Sequence, residues 1–285
     1  MDQKIIDLYD EYTHAPLPRR VFLERLSQLA GGTTAAIALL PALENRAEAA
    51  VIPADDQRLD TSRITFPGET GTMKAYRARS KGTGKLPAVV VVHENRGLTG
   101  HIEDVARRLA LEGFLAIAVD GLSPLGGTPA DEDKARDLFG QLDRKSTIGN
   151  FVAAVRWLKT NPESTGKVGI VGFCWGGGMV NQVAVSAADL DAGVAYYGGA
   201  PNAAEVPKIK AALLLHYGAL DARTNAGKPG YEAALKAAGK TFTMYVYEGA
   251  NHAFNNDTSP ARYNRAAAEL AWGRTVAFFR QHLAA

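Results

Sequence analysis

Short apolar runs rich in valine and isoleucine alternate along the chain with segments whose apolar residues repeat at helical spacing. The run at 88–93 is mainly β-branched, which is typical of a parallel strand buried on both faces. The segment at 102–111 has a helical pattern and ends before Gly113, which can serve as its C-cap. Further strands are predicted at 64–66, 73–77, 114–119, 168–171, 192–197, 211–217 and 242–247, and further helices at 131–142, 147–159, 231–238 and 262–279. This alternation predicts an α/β fold with a mostly parallel central sheet and helices on both faces.

The first fifty residues have a different pattern. Residues 1–12 are polar and mildly acidic, and the weakly apolar run at 29–43 is too short and too interrupted for an ordinary membrane span. Arg19 and Arg20 precede Val-Phe-Leu, as in a twin-arginine export signal, although Glu24 stands where such signals usually carry a basic residue. The small-x-small pattern Ala-Glu-Ala at 47–49 is typical of signal cleavage. Residues 1–50 are therefore predicted to be a leader that directs export to the periplasm.

The same segment has a second interpretation, an N-terminal arm retained on a cytoplasmic protein. Val21, Phe22, Leu26 and Leu29 fall near one face of a helix, as in an amphipathic arm that packs on a folded domain. Under either interpretation, residues 51–285 are predicted to form the α/β domain. The sequence leaves both open.

Composition narrows the range of partners. Hydrophobic residues make up 46% of the 285 and charged residues 22%, as in a soluble globular protein with a substantial core. The net charge of +2, without a basic stripe, gives no support for nucleic-acid binding. A small molecule is therefore the expected partner, no membrane span is expected, and a homo-oligomer is compatible with the sequence.

The strongest candidate for chemistry is the stretch Gly172-Phe173-Cys174-Trp175-Gly176, which lies between a predicted strand and a predicted helix. This is the G-x-nucleophile-x-G pattern of a nucleophile elbow, with cysteine as the nucleophile. Glycines flank the nucleophile because a cramped turn leaves no room for a Cβ. The N-terminus of the following helix would favour the thiolate of Cys174.

Other interpretations of this stretch are weaker. A lone cysteine is often a small buried apolar residue. The spacing of Gly169 and Gly172 does not match a dinucleotide fingerprint, and no G-K-[ST] follows for a triphosphate loop. Because Cys174 is the single cysteine, a disulfide within the chain is impossible and a metal site has at most one thiolate; no metal site is predicted.

Titratable residues follow the predicted strands, where ligands bind in parallel α/β sheets. They are Glu94, Asp120, Cys174, Asp221 and His252. Cys174, Asp221 and His252 occur in the order nucleophile, acid, histidine, which is the α/β-hydrolase order. We therefore expect His252 to act as general base and acid, and Asp221 to orient it.

Rivals for these roles exist. Asp257 competes with Asp221, and five other histidines compete with His252. His14 and His282 lie near the termini, His216 lies at a strand end, and His93 and His101 flank the turn that contains Glu94. His252 is preferred because it lies between the last predicted strand and the final helix. The oxyanion hole is expected to use the backbone N–H groups of Trp175 and Asn95.

Four motifs together resemble the dienelactone hydrolase family. They are V-V-V-V-H-E-N-R-G-L at 89–98, G-F-C-W-G-G at 172–177, H-Y-G-A-L-D at 216–221 and N-H-A-F at 251–254. The resemblance covers about 63–279. It implies an α/β-hydrolase fold, no metal or organic cofactor, and hydrolysis of an ester or lactone through an acyl-cysteine. It also implies that Glu94 pairs with the resting thiol, which agrees with the repulsion expected between a carboxylate and a thiolate.

The resemblance supports the fold and the mechanism better than it supports the substrate. Family members that cleave dienelactone bind its carboxylate with two arginines, one of them four residues after the histidine, where this chain has Asn256. The other lies in the loop after the strand that ends at Asp120, and 121–130 contains no arginine. Arg96 and Arg262 are the alternatives for substrate binding.

The sequence thus predicts a cysteine-dependent hydrolase of small esters or lactones. Two other classes stay open. A member of the fold without catalysis could bind a small molecule, because a fold does not fix a function. A redox sensor could use the Cys174 thiol if it is exposed.

Overall fold

The computed structural model describes residues 1–15, 17–44, 50–82 and 84–284. Within these residues a single sheet has eight strands. They are β1 (Leu59–Gly68), β2 (Gly71–Ser80), β3 (Leu86–Val92), β4 (Leu115–Val119), β5 (Ser164–Phe173), β6 (Ala192–Tyr196), β7 (Ala212–Gly218) and β8 (Phe242–Tyr247). Their spatial order is β1-β2-β4-β3-β5-β6-β7-β8. The β1–β2 and β2–β4 pairs are antiparallel and all pairs from β4 to β8 are parallel.

Helices cover both faces of this sheet and also form the N-terminal segment. They are α1 (Gln3–His14), α2 (Arg19–Ala30), α3 (Thr33–Leu43), α4 (Gly100–Leu111), α5 (Glu132–Phe139), α6 (Arg144–Thr160), α7 (Trp175–Ser186), α8 (Ala222–Asn225), α9 (Lys228–Ala237) and α10 (Arg265–His282). Two short 3-10 helices lie at Ser123–Leu125 and Ala203–Lys208. The predicted mostly parallel sheet with helices on both faces is confirmed.

The sheet separates two apolar cores, and β3 contributes side chains to both of them. Val90 and Val92 face the core under α6, α7 and α9, whereas Val89 and Val91 face the core under α4 and α10. A strand buried on both faces needs apolar residues at every position.

The start of α10 is set by a capping residue. Asn264 accepts a hydrogen bond from the backbone N–H of Ala267 at 3.1 Å, which explains why α10 begins later than the predicted residue 262.

Residues 1–15 and 17–44, which we call the N-terminal arm, form three helices with an apolar cluster of their own. Tyr9 and Tyr12 of α1 pack against Phe22 of α2, with ring centroids 6.0 and 4.4 Å from Phe22. Leu26 and Leu43 belong to the same cluster and are fully buried. The arm is attached to the domain near the final helix, where the N–H of Ala261 donates to the carbonyl of Ala42 at 3.0 Å.

Of the four residues predicted for the apolar face of the arm, Phe22 and Leu26 are buried, Val21 is half-buried and Leu29 is exposed. Whether it is removed as an export signal stays a prediction, and the predicted cleavage pattern at 47–49 lies outside the described residues. In the described residues no single helix is long and apolar enough to cross a membrane; α2 and α3 reach that length and composition only as a pair bent by 109°.

Candidate active site

Cys174 lies between the end of β5 and the start of α7, in a strained backbone conformation. Its φ of 56° and ψ of −114° are unusual for a residue with a side chain. Its N–H donates to the carbonyl of Tyr196 at 3.1 Å, and its carbonyl accepts from Gly178 at 3.1 Å to begin the helix. The turn therefore directs the sulfur outward at the carboxyl edge of the sheet.

The glycines on either side of this turn are required by close backbone contacts. A Cβ on Gly172 would overlap the carbonyl oxygen of Gly176, and a Cβ on Gly176 would overlap that of Val92. Backbone atoms cannot move aside as a flexible side chain can. The spacing of the motif thus reflects the packing of β5 and α7 against β3.

Two further residues near Cys174 share its backbone strain. Among the described residues, the non-glycine positions with positive φ are Cys174, Tyr197 (40°) and Ala253 (62°). Tyr197 follows β6, and Ala253 follows His252 in the segment after β8. Such conformations cost about 1–3 kcal/mol each and cluster at functional sites. All three therefore mark the same edge of the sheet.

His252 and Asp221 lie together at this edge, each a few residues beyond its strand. His252 Nδ1 is 2.6 Å from Asp221 Oδ2, and Asp221 Oδ1 accepts from the Thr224 N–H at 3.0 Å at the start of α8. Burial raises the pKa of Asp221, but the hydrogen bonds from His252 and Thr224 and the charge of His252 outweigh it and leave the pKa below its ordinary value. The carboxylate thus stays ionised beside the imidazole.

Asp257, the rival of Asp221, lies in a different group of charges. Its Oδ1 is 3.2 Å from His101 Nδ1, and its Oδ2 is 2.6 Å from Arg108 Nη2. Asp257 therefore fixes α4 to the segment before α10. Of the two candidates, Asp221 is the one in contact with His252.

The hydrogen-bond partner of the Cys174 sulfur is a histidine from the N-terminal arm. His14 Nε2 is 3.0 Å from Cys174 Sγ, and its ring meets the ring of His252 edge-on with centroids 4.7 Å apart. A ring nitrogen of His252 lies within 4.8 Å of the sulfur. Within the described residues, Cys174 and His252 are not hydrogen-bonded to each other.

Helix α1 holds His14 at its last turn through Asp10. His14 Nδ1 donates to the Asp10 carbonyl at 2.8 Å and lies 3.1 Å from Asp10 Oδ1. Burial lowers the pKa of His14, but the charge of the Cys174 sulfur and the hydrogen bonds with Asp10 and Cys174 raise it above its ordinary value. Burial raises the pKa of Asp10, but the charge of His252 and the contact with His14 bring it far below its ordinary range.

Arg223, on α8, connects the two histidine–aspartate pairs. Its Nε donates to Asp10 Oδ2 at 3.2 Å, and its Nη2 lies 3.3 Å from His252 Nδ1. Asp10, His14 and Arg223 were not among the residues predicted from the sequence. The amphipathic pattern of α1 could have indicated that it docks, but no local signal indicates where.

Glu94 is buried beside the site and is not bonded to the sulfur. Its Oε2 accepts from Asn256 Nδ2 at 2.8 Å, while its Oε1 has no hydrogen-bond partner among the described residues. Burial first, and then the charges of Glu94 and Cys174, raise the pKa of Tyr197 well above its ordinary value. Glu94 lines the same narrow cleft as Cys174 and His252.

The two residues predicted for the oxyanion hole both line the cavity at Cys174. Trp175 is the first residue of α7, where backbone N–H groups have no intrahelical acceptor. Asn95 follows Glu94, and its side chain donates to the carbonyl of Thr13 in the arm. The arm therefore also contacts this part of the site.

Arg96 and Arg262, predicted to bind substrate, are buried beneath the arm. Arg96 Nη1 donates to the Glu132 carbonyl at 2.9 Å and to Asp133 Oδ1 at 3.0 Å. Arg262 Nε donates to Ser259 Oγ at 3.1 Å, and its guanidinium lies 4.9 Å from the Tyr9 ring centroid. Both arginines also line a narrow cleft with Glu94 and Cys174.

A larger cavity of about 700 Å³ opens at the sulfur. Its apolar wall includes Phe139, Trp175 and Met179. Its charged side chains include three arginines that the sequence analysis had not identified: Arg136, Arg144 and Arg223.

Cys174 itself is only 7% exposed, which disfavours a redox sensor that needs an accessible thiol.

Comparisons with known proteins agree with this architecture. The profile of the dienelactone hydrolase family matches residues 73–283. A protein of Escherichia coli O157:H7 named "Putative carboxymethylenebutenolidase" is 34% identical over 81% of this chain and 91% of its own length. A protein of the same name from Methylorubrum extorquens is 31% identical over 93% of this chain and 96% of its own length, a span that includes part of the N-terminal arm.

Solved structures show the same fold. A crystal structure from Klebsiella pneumoniae, described as "Putative Dienelactone Hydrolase", has 31% identity and a TM-score of 0.71, and the match covers 78% of this chain and 99% of that chain. A dienelactone hydrolase from Anabaena variabilis, 22% identical with a TM-score of 0.62, shares the fold over 80% of this chain.

Proposed function

The chain belongs to the dienelactone hydrolase family and is a hydrolase, and on that premise we propose that it cleaves small esters or lactones through an acyl intermediate on Cys174. The proposal depends chiefly on one observation: Asp221 holds His252 at 2.6 Å, with a ring nitrogen of His252 within 4.8 Å of the sulfur of a cysteine on a strained strand–helix turn. An acid–histidine pair beside a nucleophile is the arrangement that acyl transfer requires.

The first half of the reaction forms the thioester. His252 takes the thiol proton as the sulfur attacks the carbonyl carbon, and Asp221 stabilises the imidazolium. The carbonyl electrons move to the oxygen, where the backbone N–H groups of Trp175 and Asn95 would stabilise the oxyanion. The C–O bond of the leaving alcohol then breaks, and His252 gives that oxygen its proton; in a lactone the ring opens.

The second half restores the enzyme. His252 removes a proton from water, the resulting hydroxide adds to the thioester carbonyl, and the C–S bond breaks. The sulfur regains its proton from His252, and the carboxylic acid product leaves. Glu94 takes no part in these proton transfers, since its Oε2 accepts from Asn256 Nδ2 at 2.8 Å.

Positive charge around the cavity favours an acidic substrate. Arg136, Arg144 and Arg223 line the large cavity, and Arg96 and Arg262 line the narrow cleft at Cys174. Arg136, Arg223 and Arg96 are paired with Asp137, Asp10 and Asp133, so Arg144 and Arg262 are the arginines of this group that have no ion pair among the described residues. A guanidinium binds a carboxylate in bidentate geometry. The name of the E. coli and Methylorubrum relatives describes a butenolide, an unsaturated lactone, that carries a carboxymethylene group. We propose the same class here: a lactone or ester with a carboxylate.

The test is the turnover of 4-nitrophenyl acetate and of a carboxylate-bearing lactone by purified variants. Cys174→Ala should lose all detectable turnover and keep its circular dichroism spectrum, and Cys174→Ser should retain weak activity, since a hydroxyl is a poorer nucleophile in a site tuned for sulfur. His282→Ala, which changes a histidine near the C-terminus, is the control and should match the wild type. Wild-type turnover by Cys174→Ala would refute the proposal.

A further inference from the structure

Three metal-binding side chains converge where the arm meets the sheet. Cys174 offers Sγ, and His14 and His252 each offer a ring nitrogen, with all three donor atoms within 4.8 Å of one another. The shortest edge of this triangle is the 3.0 Å between His14 Nε2 and Cys174 Sγ. The sulfur comes from the sheet edge and one imidazole from a helix 160 residues earlier in the chain.

Each histidine is already supported in the way that metal ligands usually are. His252 Nδ1 is held by Asp221 at 2.6 Å, and His14 Nδ1 donates to the backbone carbonyl of Asp10 at 2.8 Å, with the Asp10 carboxylate 3.1 Å away. A ligand histidine almost always donates its other ring N–H to a carboxylate or carbonyl, which fixes the ring and makes the ligating nitrogen more basic. Two aspartate–histidine pairs directed at one sulfur are more than an esterase requires.

The distances suit zinc. Bonds of about 2.3 Å to sulfur and about 2.0–2.1 Å to nitrogen at tetrahedral angles put donor atoms roughly 3.3–3.6 Å apart. The observed donor-atom separations, from 3.0 Å to at most 4.8 Å, bracket this range. Side-chain movements of about 1 Å would therefore bring the three donor atoms to tetrahedral spacing. One thiolate and two imidazoles form a donor set that favours Zn²⁺ over Mg²⁺ or Ca²⁺.

The surrounding charges permit a dication. The thiolate, Asp10 and Asp221 carry three negative charges next to the site, and Glu94, Arg96 and Arg262 line the same narrow cleft as Cys174. Arg223 opposes the metal, with Nη2 3.3 Å from His252 Nδ1, but it also pairs with Asp10 and is half-exposed, so it can turn toward solvent.

We propose that Cys174, His14 and His252 bind a thiophilic divalent cation, Zn²⁺ being the probe, which joins the arm to the sheet and inhibits the enzyme. Binding releases the thiol proton to solvent, and both the sulfur and His252 become metal ligands, so neither is free for catalysis. Inhibition follows from the proposed role of Cys174, whereas binding does not depend on it.

The experiment uses the full chain after chelator treatment. Isothermal titration with ZnCl₂ should give one site per chain, and CoCl₂ should produce the sulfur-to-cobalt charge-transfer band in the near ultraviolet. His14→Ala should weaken Zn²⁺ binding by more than the roughly 10–100-fold that follows loss of a hydrogen-bond partner behind a ligand, and Asp10→Asn should show that smaller loss. His282→Ala should bind as the wild type does, and zinc should inhibit ester turnover until EDTA restores it.

The proposal is overturned if His14→Ala or His14→Gln, folded by circular dichroism, binds Zn²⁺ as tightly as the wild type, or if cobalt gives no charge-transfer band. Because both readouts need no substrate, they separate this proposal from the proposed hydrolysis. Retained turnover in Cys174→Ala would refute the acyl-cysteine and leave the metal site standing.

Discussion

The two sides of the active site present the same pair of side chains to one sulfur but are built differently. On the sheet side, Asp221 and His252 follow β7 and β8 and are joined at 2.6 Å. On the arm side, Asp10 and His14 lie one turn apart in α1, with 3.1 Å between carboxylate and ring. It is the arm-side histidine that contacts Cys174 Sγ.

The difference lies in how each pair is held. The sheet-side pair lies a few residues beyond the adjacent parallel strands β7 and β8, which position it at the carboxyl edge of the sheet. The arm-side pair is held by a separate apolar cluster around Phe22 and by side-chain contacts such as the one from Tyr12 Oη to Asp133 at 2.9 Å. Local opening of such a segment needs less free energy than global unfolding. The sheet side therefore suits catalysis, and the arm side suits control of access.

Replacement of the two histidines should separate these roles. His252→Ala should lower kcat/KM for 4-nitrophenyl acetate by about 10²–10⁴-fold, the usual contribution of a general base. His14→Ala should change kcat/KM by less than about tenfold, an effect worth less than 1.4 kcal/mol. If His14→Ala had the larger effect, His14 would be the base and the comparison would be inverted.

The arm's separate core can be tested by one buried ring. Phe22→Ala should reduce the free energy of opening of α1 by about 3–5 kcal/mol, or by all of it if less is available, because it removes a fully buried aromatic side chain. Hydrogen exchange of the α1 amides measures this change. Leu29→Ala, at a 44% exposed position of α2, the helix that contains Phe22, is the matched control. It should change the free energy of opening of α1 by less than about 0.5 kcal/mol. Equal loss of protection in β3 would contradict a separately docked arm.

Replacement of the two aspartates should show the same contrast: loss of the Asp221 carboxylate should lower kcat more than loss of the Asp10 carboxylate. Asp221→Asn should lower kcat by roughly 10- to 150-fold, since a hydrogen bond to a charged group contributes about 1.5–3 kcal/mol. Asp10→Asn should leave kcat nearly as it is and speed hydrogen exchange in α1, because it weakens the position of His14. A larger fall in kcat for Asp10→Asn would count against the assignment.

The smallest expected effect is the pH dependence of arm docking. The raised pKa of His14 means that its proton favours the docked state. This contribution is complete below the ordinary histidine pKa of about 6.5 and is lost as pH rises through the higher docked value. Asp10 does not titrate in this range, because its pKa is lowered. Exchange of α1 amides, corrected for the intrinsic rate, should show weaker protection near pH 9 than near pH 6, and His14→Ala should abolish the difference.

The sheet-side residues could be predicted because each follows a β-type run. Parallel strands end at one edge, so Cys174, Asp221 and His252 had to meet once the strands were recognised. The arm-side residues could not be predicted, because His14 reaches Cys174 through docking of a helix whose own sequence indicates only that one face is apolar. The binding of Asn256 to Glu94 likewise depends on tertiary packing and has no local signal.

The interpretation of the arm as an export signal stays a prediction, and it bears on the comparison. If the leader were removed near residues 47–49, the mature protein would lack Asp10 and His14 and would keep the sheet-side pair alone. N-terminal sequencing of protein from the native host distinguishes the two. A chain that begins near Ala50 supports export, and an intact Met1 in a cytosolic fraction contradicts it.

The central claim is that the acyl group passes through residue 174. Wild-type protein and Cys174→Ser are mixed rapidly with 4-nitrophenyl acetate, quenched in acid, digested and measured by mass spectrometry. We expect an acetyl group on the peptide that contains residue 174, retained longer in Cys174→Ser because its oxygen ester is cleaved more slowly in a site tuned for sulfur. Steady turnover with no acetyl group on residue 174 in either protein would contradict the account.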